Sequence, residues 1–179
     1  MLTDLNPWIV SFHLLCSMAI IGVAVLFLRR LDGPAAVGET GPTAVLSRLM
    51  FATGWVVLYV GTVVTGSGPH AGDADAPRNG LDPLQLSQLH ADVVLLFVGL
   101  TVGVLFAVHA SGGSAEAVRA ARTLLAVEVA QGAIGFVQYF TDLPIVLVEF
   151  HLLGAAVLAA TLTWTLLQVR EAPAPAIVP

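Results

Sequence analysis

Three histidines carry the chemistry open to this sequence. His13 stands in NPWIVSFHLLCSM, His90 in LSQLHADVVLL and His151 in IVLVEFHLLGA, each near the start of an apolar run. An ionisable side chain in such a place is costly and is a functional hypothesis by default. His13 lies about five residues into its run, His90 about four and His151 about seven. At 1.5 Å per residue these depths agree within roughly 5 Å. Two imidazoles at one depth, on two helices of one bundle, are what a bis-His haem site requires. Each ring gives one nitrogen to iron while the bundle interior hides the porphyrin. Within one complete bundle the pair is His90 and His151. The plainer alternative is that each is a hydrogen-bonded interfacial residue, and His109, at the opposite membrane face, is read that way.

Other polar residues fall inside apolar runs. Asp92 and Glu149 are each two residues from a candidate ligand, about 200° around a helix, and are expected to turn away from the histidine face. Glu128 and Gln131 lie deeper, and Glu128 is expected to be neutral or hydrogen-bonded inside the bundle, without an assigned role. Gly99, Gly103, Gly132, Gly135, Gly154, Ala155 and Ala156 offer room for a flat macrocycle or, equally, for close helix packing. The stretch TGSGPHAGDADAPRNGLDP, with His70, Asp73, Asp75 and Asp82, reads as a flexible Gly/Pro/Asp loop rather than a metal site. Backbone N–H groups around Gly66–Gly68, together with Arg78, are candidates to hold haem propionates.

The elements that must position these residues are transmembrane helices. The chain has 179 residues, 57% hydrophobic and 11% charged, against about 25% charged in a soluble domain. Five apolar segments, about 8–28, 45–66, 86–108, 119–140 and 144–169, are long enough to span about 30 Å of hydrocarbon. The expected fold class is therefore an all-α membrane protein with five transmembrane helices. Arg29, Arg30, Arg48, Arg119, Arg122 and Arg170 fall on one side, which the positive-inside rule makes cytoplasmic, leaving the N-terminus outside and the C-terminus inside. Arg78 is the basic residue on the other side. The N-terminus lacks a basic n-region and a small-residue cleavage site, so no signal peptide is expected. Lone Cys16 leaves no disulfide within the chain.

An internal repeat organises the helices. TDLNPWIVSFHLL at 3–15 and TDLPIVLVEFHLL at 141–153 match at 8 of 13 positions without a gap. Four helices separate the copies, an even number, so both enter the membrane from the outside and the repeat is parallel. A four-helix unit then runs from the second segment to the fifth. The first segment reads as the last helix of a preceding, missing unit. The expected organisation is 1–30 as that helix, 31–44 as a cytoplasmic linker, 45–169 as a four-helix haem-binding half, and 170–179 as a disordered tail.

NPWIVSFHLLCSM, GTVVTGSGPHAGD, RNGLDPLQLSQLHAD and AQGAIGFVQYFTDLPIVLVEFHLLGA together resemble haem A synthase of the cytochrome oxidase assembly type, most like its actinobacterial form. The resemblance covers residues 1–170. It implies eight helices in two similar halves, of which this chain is similar to the last helix of the first and the whole second. It also implies oxidation of a haem O ring methyl to a formyl group, with electrons passing through a resident haem b. On that resemblance His90 and His151 ligate the iron of haem b, and His13 matches a ligand of the substrate haem in the first half. The first half's cysteine pair and catalytic acid have no counterpart here. Implied partners are the haem O substrate, a first half on this or another chain, haem O synthase, the cytochrome oxidase assembly machinery and the lipid bilayer. A homo-oligomer stays open, and no nucleic acid is expected. The rival readings are a b-type electron-transfer cytochrome without a substrate of its own, and a haem-free assembly protein.

Overall fold

A computed structural model describes residues 4–31, 41–69 and 75–170. Most of the 31–44 linker, His70 and Asp73 of the long loop, and the 171–179 tail lie outside the described residues. The described residues form five helices: α1 (Pro7–Leu31), α2 (Pro42–Ser67), α3 (Pro83–Ala110), α4 (Ala115–Phe140) and α5 (Ile145–Arg170). Their bounds lie within four residues of those expected, and no strand occurs among the described residues.

The helix starts follow from local chemistry. α1, α2 and α3 each begin at a proline, whose fixed φ suits the first turn and whose missing N–H is not needed there. Asp82 caps α3 by accepting a hydrogen bond from the Leu84 N–H at 2.9 Å, and Ser114 caps α4 through the Ala117 N–H at 3.1 Å. At the other end of α2 the Gly68 N–H donates to the carbonyls of Val64 and Thr65. Each helix has 25 to 28 residues, or roughly 37–42 Å, longer than the hydrocarbon core. All five are apolar enough to cross it, which makes this a multi-pass membrane protein.

Contacts between the helices give the topology. Gly61 faces His90, Gly54 faces Phe97, and Gly103 faces Leu46, so α2 and α3 run antiparallel in register. Gly135 faces His151 and Gly154 faces Gln131, which sets α4 and α5 antiparallel in the same way. The two hairpins meet where α3 packs on α4 and α2 on α5, closing a four-helix ring; α1 lies outside it against α2 and α5. Ser11 of α1 donates to the Thr62 carbonyl at 3.2 Å, and Gly22 approaches Thr163. This alternation gathers the six arginines at one end of the bundle.

The ring is packed over only part of its length. Phe97, Met50, Leu124, Leu162 and Val104 are fully buried, all toward the arginine end. On α3 no residue before Phe97 is buried, and on α5 none before Leu158. On α4 burial stops at Glu128 apart from Gln138. The bundle is thus most tightly buried in the arginine half and less buried along α3, α4 and α5 in the other half.

The sequence repeat is also a repeat of conformation. Asp4 and Leu5 have φ of 43° and 53°, and Asp142 and Leu143 have φ of 56° and 55°. Each Asp-Leu pair bends the chain in the left-handed region immediately ahead of a helix, and His13 and His151 each lie six residues into the helix that follows.

Candidate functional site

Glycines decide where the imidazoles sit. A Cβ on Gly61 of α2 would lie 3.2 Å from Cε1 of His90, so the His90 ring occupies space that any side chain at 61 would take. A Cβ on Gly135 of α4 would lie 3.7 Å from Cε1 of His151, in ordinary contact. Each ring therefore lies over a glycine of the helix before it in the chain, His90 in the first hairpin and His151 in the second. Gly61 is six residues from the end of α2 and His90 seven from the start of α3. Gly135 is five from the end of α4 and His151 six from the start of α5. At 1.5 Å per residue all four fall in one layer, roughly 8–10 Å below the helix ends. The layer lies in the less buried half.

Both rings are turned inward. The Nδ1 atom of His90 and that of His151 are buried, and neither has a hydrogen-bond partner. A buried ring nitrogen with no donor or acceptor requires an explanation, and here the same orphan occurs twice in one layer. Among the described residues no group of three or more His, Cys, Asp or Glu side chains gathers. What the layer offers is two nitrogen ligands from opposite hairpins. That set is insufficient for a bare metal ion but suits an iron whose other four positions a macrocycle fills.

The remaining candidates separate clearly. His13 is exposed on the outer face of α1, away from the ring, as are His109, Asp92 and Glu149 on their helices. Arg78 donates to the Pro69 carbonyl at 2.9 Å and to the Ala76 carbonyl at 2.5 Å, holding the loop over the end of α2. The Gly68 N–H, expected as an anion donor, is engaged in the α2 cap. Of the glycines expected to cradle a macrocycle, Gly135 is the one whose Cβ would meet a histidine ring. Gly99 and Gly132 have no neighbour that a Cβ would meet, Gly103 packs on Leu46, and Gly154 receives the Gln131 amide.

Three residues at the site escaped the sequence reading. Gly61 was hidden because the α2–α3 register depends on a long loop. Asn79 ties that loop to α2, donating to the Val63 carbonyl at 2.9 Å, while its own N–H donates to the Gly66 carbonyl. Thr101 donates at 2.6 Å to Oε1 of Glu128 across the α3–α4 contact. Comparison of the chain with protein families, with curated proteins and with solved structures finds no match.

Proposed function

We propose that the chain is the haem b-binding part of a membrane oxidoreductase of haem A synthase type, in which His90 and His151 would hold the haem iron. One observation carries the reading: two inward-turned imidazoles, each with an orphaned buried nitrogen, lie in a single layer above the most tightly buried part of the bundle. The glycines beneath the rings leave the imidazoles room to approach a planar group from both sides. The haem supplies one-electron chemistry when bound. The chain's own residues supply the two nitrogens, a helical wall that excludes water, and Arg78 at the loop above as a partner for propionate.

The sequence resemblance adds the substrate class, haem O, and the oxidation of its ring methyl. The exposed imidazole of His13 supports its assignment to a separate site completed by other helices. The arginine-rich end supports a cytoplasmic C-terminus in a bacterial plasma membrane.

The test is a reduced-minus-oxidised absorption spectrum of protein purified with haem available. A low-spin haem band is expected; His90→Ala or His151→Ala each abolishes it, and His13→Ala leaves it intact. A wild-type protein without the band overturns the reading. Co-expression with a first half, followed by extraction of haem A, tests the synthase activity itself. Haem bound without any haem A formed favours an electron-transfer cytochrome.

A further inference from the structure

Glu128 marks the edge of the tightly buried half of the bundle. It is 3% exposed, and it lies at the level where burial on α4 stops, one turn inward of Phe97 on α3 and beside Leu158 on α5. Its Oε1 accepts the Thr101 hydroxyl, whereas Oε2 is buried without a partner. Neither α3 nor α5 brings a cation to it. The titratable and charged groups of α3 are His90, Asp92 and His109; those of α5 are Glu149, His151 and Arg170. On α4 itself they are Glu116, Arg119, Arg122 and Tyr139. Of all these only His90 and His151 turn into the bundle, and they lie above Glu128. The separation is about seven residues along α5 and eleven along α3, or roughly 10 and 16 Å.

A carboxyl group held in a low-dielectric interior without a counter-charge responds to any charge that changes nearby, because little solvent screens the field. Bis-His iron changes charge by one when it is reduced. We propose that Glu128 is a redox-linked proton acceptor for the group held by His90 and His151. This rests on the haem reading above. When that group gains one electron from a one-electron reductant, the Glu128 carboxylate takes one proton from water and becomes the neutral acid. When the electron leaves to an oxidant, the proton is released. One electron and one proton enter together and leave together, so the net charge of the interior stays constant. Thr101 positions the carboxyl by fixing Oε1, which leaves Oε2 as the atom that gains and loses the proton.

The experiment is a mediated redox titration of the haem-loaded, full-length protein between pH 6 and 9. The wild-type midpoint potential is expected to fall as pH rises. The pH dependence is lost in Glu128→Gln, which keeps the shape and the Thr101 contact, and is retained in Glu128→Asp. Redox-difference infrared spectra of the wild type are expected to gain a protonated-carboxyl C=O band on reduction, absent in Glu128→Gln. A wild-type potential that does not depend on pH overturns the inference with the haem reading intact. So does a dependence that persists in Glu128→Gln, which would place the proton on the haem propionates. Absence of any low-spin haem spectrum overturns both.

Discussion

The two glycine–histidine contacts differ by half an ångström, and that difference has consequences. At 3.2 Å from Cε1, a methyl on Gly61 forces the His90 ring to shift by a few tenths of an ångström, whereas at 3.7 Å a methyl on Gly135 fits. Gly135→Ala is expected to retain haem at the wild-type ratio to protein. Gly61→Ala is expected to shift the low-spin band, and Gly61→Leu to lose most of the haem while the helical content by circular dichroism is unchanged. Equal behaviour of the two alanine variants would show that the rings do not rest on these glycines. Gly54 shows the same physics in the tightly buried half. A Cβ there would lie 2.6 Å from Cδ2 of Leu162 and 3.1 Å from Cε2 of Phe97. Gly54→Ala is expected to destabilise by about 1–3 kcal/mol through overpacking, read as a lower unfolding midpoint in detergent.

At the scale of elements, the α4–α5 turn concentrates strain. Asp tolerates the left-handed region, but Leu143 at φ 55° does so at a cost of about 1–2 kcal/mol. Its N–H donates to the Gln138 carbonyl at 2.9 Å, which holds the turn closed. Leu143→Gly is expected to raise the thermal midpoint, since glycine adopts this φ freely, and Leu143→Val to lower it, since a β-branched side chain fits there worst. A midpoint lowered by glycine would mean that the leucine side chain matters more than its backbone. The hairpins themselves are ordinary antiparallel pairs. Their importance is that each carries one glycine and one histidine to a common depth, so the site forms only when the two hairpins dock.

For the whole molecule, the difference in burial between the two halves predicts uneven stability. Amides of α3 after Phe97 and of α5 after Leu158 are expected to exchange slowly in the haem-free protein, and those of 84–96 and 145–157 faster. Adding haem is expected to slow exchange selectively in the second group. Uniform slowing along both helices would argue against a ligand in that half. The gathering of the six arginines at one end predicts topology as well. A fluorescent-protein fusion after Arg170 is expected to fluoresce in the cytoplasm, and an alkaline phosphatase fusion there to be inactive.

Much of this was legible in the chain. Apolar runs of over twenty residues can satisfy their backbone in a bilayer only as helices, so the five spans follow from composition, while the starts of α2, α3 and α4 lie three or four residues earlier than hydropathy places them, at Pro42, Pro83 and Ala115. The helical period placed Asp92 and Glu149 away from the ligand face, and counting from helix ends brought His90 and His151 to one depth. The same counting brought His13 to that depth too, and only packing separates it, by turning it outward on α1. Tertiary structure also decided that Gly61 rather than Gly99 or Gly132 meets a ring, that Thr101 finds Glu128, and that the core ends at Phe97, Glu128 and Leu158. These facts depend on the rotation and register of one helix against another. In membranes both are set by small-residue contacts between helices, and a single chain read along its length carries no measure of that distance.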